Sequence, residues 1–150
     1  MIMIKQITLT ESHLVVALFD QYRVFYKQSS DIALAKAFID TRLANNESVI
    51  FVALSDDIPV GFTQLYPKYS SMRASKNWIL NDLFVAPAYR KQGIGERLIK
   101  AAMCFAEQQG ATFVQLETAV DNYTAQSLYE AIGFVKQEPD AGFLVYRISV

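Results

Sequence analysis

The sequence is poor in the residues that build covalent or metal-held scaffolds. Its 150 residues include one cysteine, Cys104, and one histidine, His13. A single cysteine cannot form an internal disulfide, and this is the usual situation in a cytosolic protein. No group of His, Cys, Asp and Glu residues has the spacing of metal ligands, so we expect no metal site.

Long apolar runs and blocks of like charge are also absent. The apolar stretch at the start, Met1–Lys5, is too short for a signal peptide, and no later run reaches membrane-spanning length. The formal net charge is −1, and it is not concentrated in any tail or patch. We therefore expect a cytoplasmic, soluble protein with neither a nucleic acid nor a membrane as partner.

Apolar residues, by contrast, are abundant, at 52% of the chain. A chain of this length can bury one core, and we expect a single domain over residues 1–150. Hydrophobic periodicity predicts a strand, two helices, three strands, a helix, a strand, a helix and two strands, which is an α/β sheet flanked by helices. We expect the first helix to run from Thr10 to about Lys27 and a polar connection to span Lys68–Ser75. Later strands are expected over Thr112–Thr118, Phe134–Gln137 and Phe143–Val150.

One junction between a predicted strand and a predicted helix carries the clearest chemical signal. The strand Trp78–Val85 is stopped by Pro87, and apolar residues then recur at helical spacing from Ile94 to Gly110. Between them lies the run Arg90-Lys91-Gln92-Gly93-Ile94-Gly95. Its glycines let backbone approach a ligand closely, and the first N–H groups of a helix attract anions, phosphate above all. Arg90 and Lys91 add positive charge at the same place.

This glycine loop fits only one of the common phosphate-binding patterns. No Gly-x-x-x-x-Gly-Lys-Ser/Thr run occurs, and a dinucleotide fingerprint would need glycine where the chain has Leu98. What remains is Arg-x-x-Gly-x-Gly, and the run from Asp82 to Gly95 resembles the acyl-CoA loop of the GCN5-related N-acetyltransferases (GNAT family). A second run, Asn122–Phe134, resembles that family's downstream motif. The resemblance is clear from about Val49 to Phe134.

The resemblance implies an acetyl-CoA-dependent N-acetyltransferase with the family's fold, a mixed and mostly antiparallel sheet flanked by helices. It implies direct transfer of the acetyl group to a primary amine in a ternary complex. By family likeness, Tyr129 would meet the leaving sulfur as a hydrogen-bond donor, and Asn122 would contact the pantetheine region besides capping its helix. The residues expected to bind coenzyme A are Leu83, Phe84, Val85, Arg90, Lys91, Gln92, Gly93, Ile94, Gly95 and Asn122.

The group that takes the amine's proton is less clearly indicated. An alkyl amine has a pKa near 10.4, so holding it neutral at pH 7 costs about 4.6 kcal/mol, and only the neutral form can attack. Some family members place a glutamate on the central strand where this chain has Asn81, which cannot accept a proton. Asp82 could replace it only if a bulge turns the strand, because neighbouring strand residues face opposite ways. Glu117, or a water chain held by Asn81, could instead take the proton.

The acceptor is the least determined part of the function. Tyr22, Tyr26, Trp78 and Glu117 are candidate acceptor-binding residues, and the family likeness favours a small or polyamine-like amine. Homodimers are common in the family. Two further functions also fit the sequence: an acyl-CoA-binding sensor or silent subunit without turnover, and a nucleotide-binding regulator that uses the same loop.

Overall fold

The structure, a computed structural model, describes all residues 1–150, in two compact units formed by Met1–Glu117 and Thr118–Val150. The single domain expected over the whole chain stays a prediction. The first unit contains five strands and three α-helices. These are β1 (Ile2–Gln6), α1 (Val16–Phe25), α2 (Ile32–Ala44), β2 (Val49–Ser55), β3 (Ile58–Ser70), β4 (Ser75–Val85), α3 (Ile94–Gln108) and β5 (Val114–Gln115).

The five strands form one sheet in the order β1-β2-β3-β4-β5. The first four pair with their neighbours antiparallel, and β4 pairs with β5 parallel. The predicted mixed, mostly antiparallel sheet flanked by helices is therefore confirmed. No helix in the chain is both long enough and apolar enough to cross a membrane.

Helices cover both faces of this sheet. On one face, Phe19 of α1 contacts Phe62 of β3, edge to face, at a ring-centroid distance of 6.2 Å. On the other face, Phe105 of α3 contacts Phe51 of β2 and Trp78 of β4 at 6.0 and 5.1 Å. Alternation along each strand sends successive side chains to these two layers. We call them the α1/α2 face and the α3 face.

The helix starts follow local capping chemistry. Within Ser29-Ser30-Asp31, a run whose residue types suit a helix cap, Asp31 caps α2 by accepting a hydrogen bond from the Leu34 N–H at 3.0 Å. The expected first helix differs: residues Leu9–Leu14 form a 3-10 helix with a capping box at Thr8, and α1 begins only at Val16. Thr8 rather than Thr10 is the cap because Glu11 stands three residues after it and reaches back to its N–H, at 3.2 Å.

The β3–β4 hairpin is longer than predicted. The sequence predicts a polar connection over Lys68–Ser75, but β3 runs to Ser70 and β4 starts at Ser75. Exposed polar residues can continue a ladder because its backbone bonds do not depend on side-chain polarity, and cross-strand pairs stabilise it. Here Tyr69 pairs with Lys76, whose ammonium lies 5.6 Å from the Tyr69 ring centre.

Strand β5 is shorter than the predicted Thr112–Thr118. The Asn77 side-chain oxygen accepts hydrogen bonds from the Thr112 N–H at 2.8 Å and from the Phe113 N–H at 3.1 Å. These two N–H groups are therefore used by a side chain, and the ladder begins at Val114.

The second unit contains one helix, α4 (Tyr123–Ile132), which ends at Gly133 with a φ of +121°. The two strands predicted for Phe134–Gln137 and Phe143–Val150 are not present. Both segments contain the aromatic and β-branched residues that favour strands, but a strand also needs a partner for its backbone, and composition does not supply one. The apolar side chains of the last segment are exposed, among them Val145 at 92% and Ile148 at 86%.

Candidate functional site

The predicted phosphate loop forms a tight turn that leads into an uncapped helix. Gly93 precedes α3 with a left-handed φ of +79°, and no side chain caps the helix start. Lys91 also has a positive φ, of +61°. The space where a Gly93 Cβ would stand is clear of other atoms to 4 Å. The first N–H groups of a fifteen-residue helix thus lie beside accessible backbone, which is the arrangement that binds anions.

Strand β4 leads to this loop along an edge that lacks a neighbour. Its ladder with β5 joins only Trp78 to Val114 and Ile79 to Gln115, whereas β4 continues to Val85. From Leu80 to Val85 the strand is therefore paired only with β3. Backbone groups on a free strand edge can hydrogen bond to an extended ligand. The predicted ligand-pairing residues Leu83, Phe84 and Val85 lie on this free edge.

Arg90 lies where the free edge of β4 meets the loop. Its Nε donates to the Val85 carbonyl at 2.8 Å, and its guanidinium carbon stands 5.3 Å from the centre of the Phe84 ring. The Arg90 side chain is therefore held at the end of the strand by one nitrogen. The two terminal nitrogens remain available as donors, and they form the fork that matches a phosphate.

A bulge in β4 reorients Asp82. The ladder with β3 pairs Gln64 with Asp82, and the next residue, Leu65, pairs with Leu80, so Asn81 is an extra residue. Trp78 faces α3, and Leu80, two residues on, shares that face; without a bulge Asp82 would share it as well. The extra residue instead places Asp82 on the α1/α2 face with Phe84. The bulge that Asp82 requires if it is to accept the amine's proton is therefore present.

Asp82 is 2% exposed and is held by amide side chains on both of its oxygens. Gln64 Nε2 donates to Oδ2 at 2.5 Å, and Asn81 Nδ2 donates to Oδ1 at 2.7 Å. The Tyr22 hydroxyl has one proton to donate, and both the carboxylate and the Asn81 carbonyl, 3.4 Å from the hydroxyl oxygen, lie within its reach. No cation is among these partners, so the carboxylate is stabilised by hydrogen bonds alone.

Burial dominates the electrostatics of this cluster. It raises the pKa of the Asp82 carboxyl above its ordinary value of 3.8, and the hydrogen bonds from Gln64, Asn81 and Tyr22 oppose that rise. Burial and the Asp82 charge raise the pKa of Tyr66 to about 12 and also raise the pKa of Tyr22. Both phenols therefore stay protonated at neutral pH, and Asp82 is the group that can exchange a proton.

An aromatic cluster at the C-terminal end of α1 reaches this acid through Tyr22. Tyr22 lies between the buried ring of Phe62, with ring centres 5.9 Å apart, and the exposed ring of Tyr26, at 5.0 Å. Tyr26 is 56% exposed. The structure thus brings together the predicted residues Tyr22, Tyr26, Asn81 and Asp82 on the α1/α2 face.

Two other predicted residues are not part of this cluster. Trp78 is 4% exposed and packs against Phe105 on the α3 face. Glu117 is exposed, lies beyond the end of β5 and forms no ion pair. Neither side chain is among the hydrogen-bond partners of Asp82.

The second unit holds the remaining two predicted residues, at the start of α4 and within it. Asn122 caps the helix, because its Oδ1 accepts the Ala125 N–H at 3.2 Å. Tyr129 lies in the last turns, half-buried, with its ring 5.9 Å from that of Phe134. The expected capping role of Asn122 is confirmed.

Gln64 is the residue of this site that the sequence did not reveal. It is fully buried in β3, between Thr63 and Leu65, and its hydrogen-bond partner Ser48 is also buried. A side-chain amide is rarely buried without a polar partner, and Gln64 stands in a mainly apolar part of β3. That signal could have suggested a polar contact in the core, but not which acid it meets. No group of three or more His, Cys, Asp and Glu residues converges on a common point.

A model of the acetyltransferase (GNAT) family matches residues 14–134 of the chain. Among curated proteins, the chain is 45% identical over 147 residues to YhfO, an uncharacterized N-acetyltransferase of Bacillus subtilis (strain 168), covering 98% of this chain and 97% of YhfO.

Solved structures agree with this match. A crystal structure of a probable acetyltransferase has a TM-score of 0.88 and 38% identity, covering 99% of this chain and 97% of the other. The aminoglycoside N-acetyltransferase AAC(6')-Iy in complex with CoA has a TM-score of 0.82 and 22% identity, covering 100% and 96%. At that identity the second similarity shows the fold alone.

Proposed function

Since this chain belongs to the GNAT family and is an acetyltransferase, we propose that it moves an acetyl group from acetyl-CoA to a primary amine of a small molecule. The observation that carries the proposal is that one strand, β4, bears a free edge leading to an anion-binding helix start and, at its bulge, a buried carboxylate. The proposed donor site and the proposed proton acceptor would thus share one element.

The residues present fit coenzyme A. Its diphosphate would be held by the N–H groups at the start of α3, from Gly93 onward, with the free nitrogens of Arg90 beside them. Lys91 and Gln92 are exposed in the same turn. The free edge of β4 over Leu83–Val85 would pair with the amide groups of the pantetheine arm. Bound acetyl-CoA supplies a thioester as the source of the acetyl group.

Asp82 is the proposed general base. Its raised pKa brings it closer to the working pH, which favours proton transfer, and the bulge turns it to the face that also carries Tyr22 and Tyr26. Because the residue is 2% exposed, we assign the transfer to one bridging water at the exposed Asn81 side. Loss of that proton gives the amine the lone pair that it needs for attack.

Direct attack by the amine is supported by what contacts Asp82. Its partners are two amides and a phenol, none of which is a nucleophile that could carry an acetyl group at neutral pH. The one cysteine, Cys104, is exposed on α3 and accepts a hydrogen bond from Gln108. Transfer in a ternary complex therefore needs no acetylated side chain.

For the leaving sulfur, Tyr129 is the proposed hydrogen-bond donor. The support is the match of its helix, Asn122–Phe134, to the family's downstream motif. A phenol with a pKa near 10 is a slightly weaker acid than a thiol, by about 1.5 pKa units, so it shares its proton with a thiolate rather than releasing it fully.

A small cationic amine is the proposed acceptor. Tyr22 and Tyr26 present phenol rings beside an acid, and such rings attract an ammonium group through their faces. The structural relative AAC(6')-Iy is an aminoglycoside N-acetyltransferase, which also favours a small amine.

The test is release of free thiol from acetyl-CoA with a panel of amines: a polyamine, an aminoglycoside, free amino acids and a lysine peptide. We expect thiol release with the polyamine or the aminoglycoside, and calorimetric binding of CoA. CoA binding without thiol release for any amine would instead support the acyl-CoA sensor. ATP binding as tight as CoA binding would support a nucleotide regulator.

A further inference from the structure

Asp82 is the end of a buried chain of side chains that begins just before β2 and continues through β3 to β4. The Ser48 hydroxyl, next to the start of β2, donates to Gln64 Oε1 at 2.7 Å. Gln64 Nε2, on β3, then donates to Asp82 Oδ2, on β4, at 2.5 Å. The exposed fractions of the three residues are 7%, 0% and 2%. Most side-chain hydrogen bonds go to backbone or water, so a buried chain made only of side chains is uncommon.

The direction of the chain is set by Asp82. An amide has one acceptor end and one donor end, and an ionised carboxylate can only accept, so the donor end of Gln64 is turned toward Asp82. The Ser48 hydroxyl then donates to the acceptor end of the amide. Reversing the amide would place two oxygens against each other at Asp82, which a buried carboxylate tolerates poorly.

The two oxygens of Asp82 consequently have different surroundings. Oδ2 is bound by the fully buried Gln64, whereas Oδ1 is bound by Asn81, whose side chain is exposed. A proton arriving from solvent or from an acceptor amine meets Oδ1 first. Gln64 holds the other oxygen and so fixes the plane of the carboxylate.

We propose that Gln64 is a positioning residue for acetyl transfer: held by Ser48, it anchors Oδ2 of Asp82 so that Oδ1 alone accepts the amine proton. This inference rests on the proposed base role of Asp82. Gln64 touches neither substrate nor donor and acts only through Asp82.

The proposal makes a specific statement about pH. A donor bonded to the charged form of an acid favours ionisation, so removing the Gln64 donor raises the pKa of Asp82. The titratable groups that act on Asp82 are the phenols of Tyr22 on α1 and Tyr66 on β3. Both have raised pKa values and do not titrate near neutral pH, so among the protein groups of the site the acid limb of the pH–rate profile reports Asp82, at lower pH than the limb of the amine itself, whose pKa is near 10.4.

The experiment compares Gln64→Met with Thr63→Val. Methionine keeps the length of the side chain and removes both polar ends. Thr63 is equally buried, but its hydroxyl donates to the backbone carbonyl of Asp82, at 2.8 Å, and not to the carboxylate. In Gln64→Met we expect the acid limb of kcat/KM to move up by about one pH unit. In Thr63→Val we expect a lower Tm with the limb unmoved.

The carboxyl signal of Asp82, followed by carbon NMR against pH in the free protein, gives the same answer without turnover. An unmoved titration in Gln64→Met would overturn the proposal. If that variant does not fold, Ser48→Ala carries the test: a smaller shift in the same direction supports the proposal, and no shift overturns it. If Asp82→Asn keeps full activity and an unchanged acid limb of kcat/KM, the proposed base role of Asp82 is wrong. The NMR shift in Gln64→Met would then still show that Gln64 anchors the Asp82 carboxylate.

Discussion

The loop at Arg90–Gly95 and the cluster around Asp82 are both attached to β4 but are built in opposite ways. The loop offers backbone N–H groups at the start of α3, and its shape follows from a left-handed glycine and an uncapped helix. The cluster offers side chains from α1, β3, β4 and the start of β2 that meet only in the folded protein. A site made of backbone is specified locally, whereas a site made of side chains is specified by packing.

The comparison predicts that the cluster controls chemistry and the loop controls binding. The largest effect is expected for Asp82→Asn, since it removes the proposed base. We expect kcat/KM to fall by about 10²- to 10⁴-fold, with CoA affinity unchanged. The wild-type rate should rise with pH as Asp82 ionises, and this acid limb should be lost in the variant.

A suitable control for that change is Asp20→Asn. Asp20 is also a buried carboxylate, at 5% exposed, and it accepts the Ser30 hydroxyl at 2.6 Å and the Asp31 N–H at 2.8 Å. We expect this control to lower Tm and to keep the acid limb. Equal losses of kcat/KM in the two variants would remove the distinction between a base and a buried structural acid.

The next effect concerns the loop. Reversing the charge in Arg90→Glu should weaken CoA binding by about 10- to 100-fold, because it removes a charge-assisted contact with the diphosphate. Calorimetry measures the affinity, and Arg73→Glu, the same change at an exposed position of the β3–β4 hairpin, is the control. Unchanged affinity in Arg90→Glu would place the diphosphate elsewhere.

A smaller loss of CoA affinity is expected when the backbone shape of the loop is changed and its charge is kept. Gly93→Ala forces a side chain into a left-handed φ of +79° without any clash, which should cost about 1 kcal/mol of stability. Gly110 has a φ of +82° and an equally open Cβ position, so Gly110→Ala is a matched control. Both variants should lose similar stability by denaturant unfolding, and only Gly93→Ala should lose CoA affinity.

The smallest effect is on the pH dependence of folding. Because the pKa of Asp82 is raised in the folded state, the folded protein binds more protons than the unfolded chain between pH 3.8 and the raised value. Stability contributed by this group is therefore present below pH 3.8 and falls as pH rises through the raised pKa. Denaturant unfolding of Asp82→Asn across that range should lack this decline. An identical decline in wild type and variant would assign it to other groups.

The same contrast explains what the sequence can predict. The strand-to-helix junction, the cap at Asp31 and the cap at Asn122 follow from residues within a few positions of each other, and the structure has them. The bulge at Asn81 can be named as a condition but not located, because it depends on the register between β3 and β4. Gln64 escapes sequence reasoning because its partners are 16 and 18 residues away.

The wrong strand predictions have the same origin. Thr112 and Phe113 fit a ladder by their pattern, but a side chain 35 residues before Thr112 takes their N–H groups. The residues Phe143–Val150 have the composition of a strand, yet no ladder includes them. Side-chain patterns show what a segment is suited to, and only long-range pairing decides whether that form is adopted.

The Asn77 amide has a mechanical consequence. Its oxygen ties Thr112 and Phe113 to β4 next to the only two residue pairs that the two strands share. From Ile79 to Val85 the strand extends about 20 Å further at ~3.3 Å per residue. A tilt of about 5° at the pinned end would then displace the far end by almost 2 Å, by the same lever arm. A substitution at Asn77 that removed these bonds would therefore be amplified along the strand toward Val85, at the end where the loop begins.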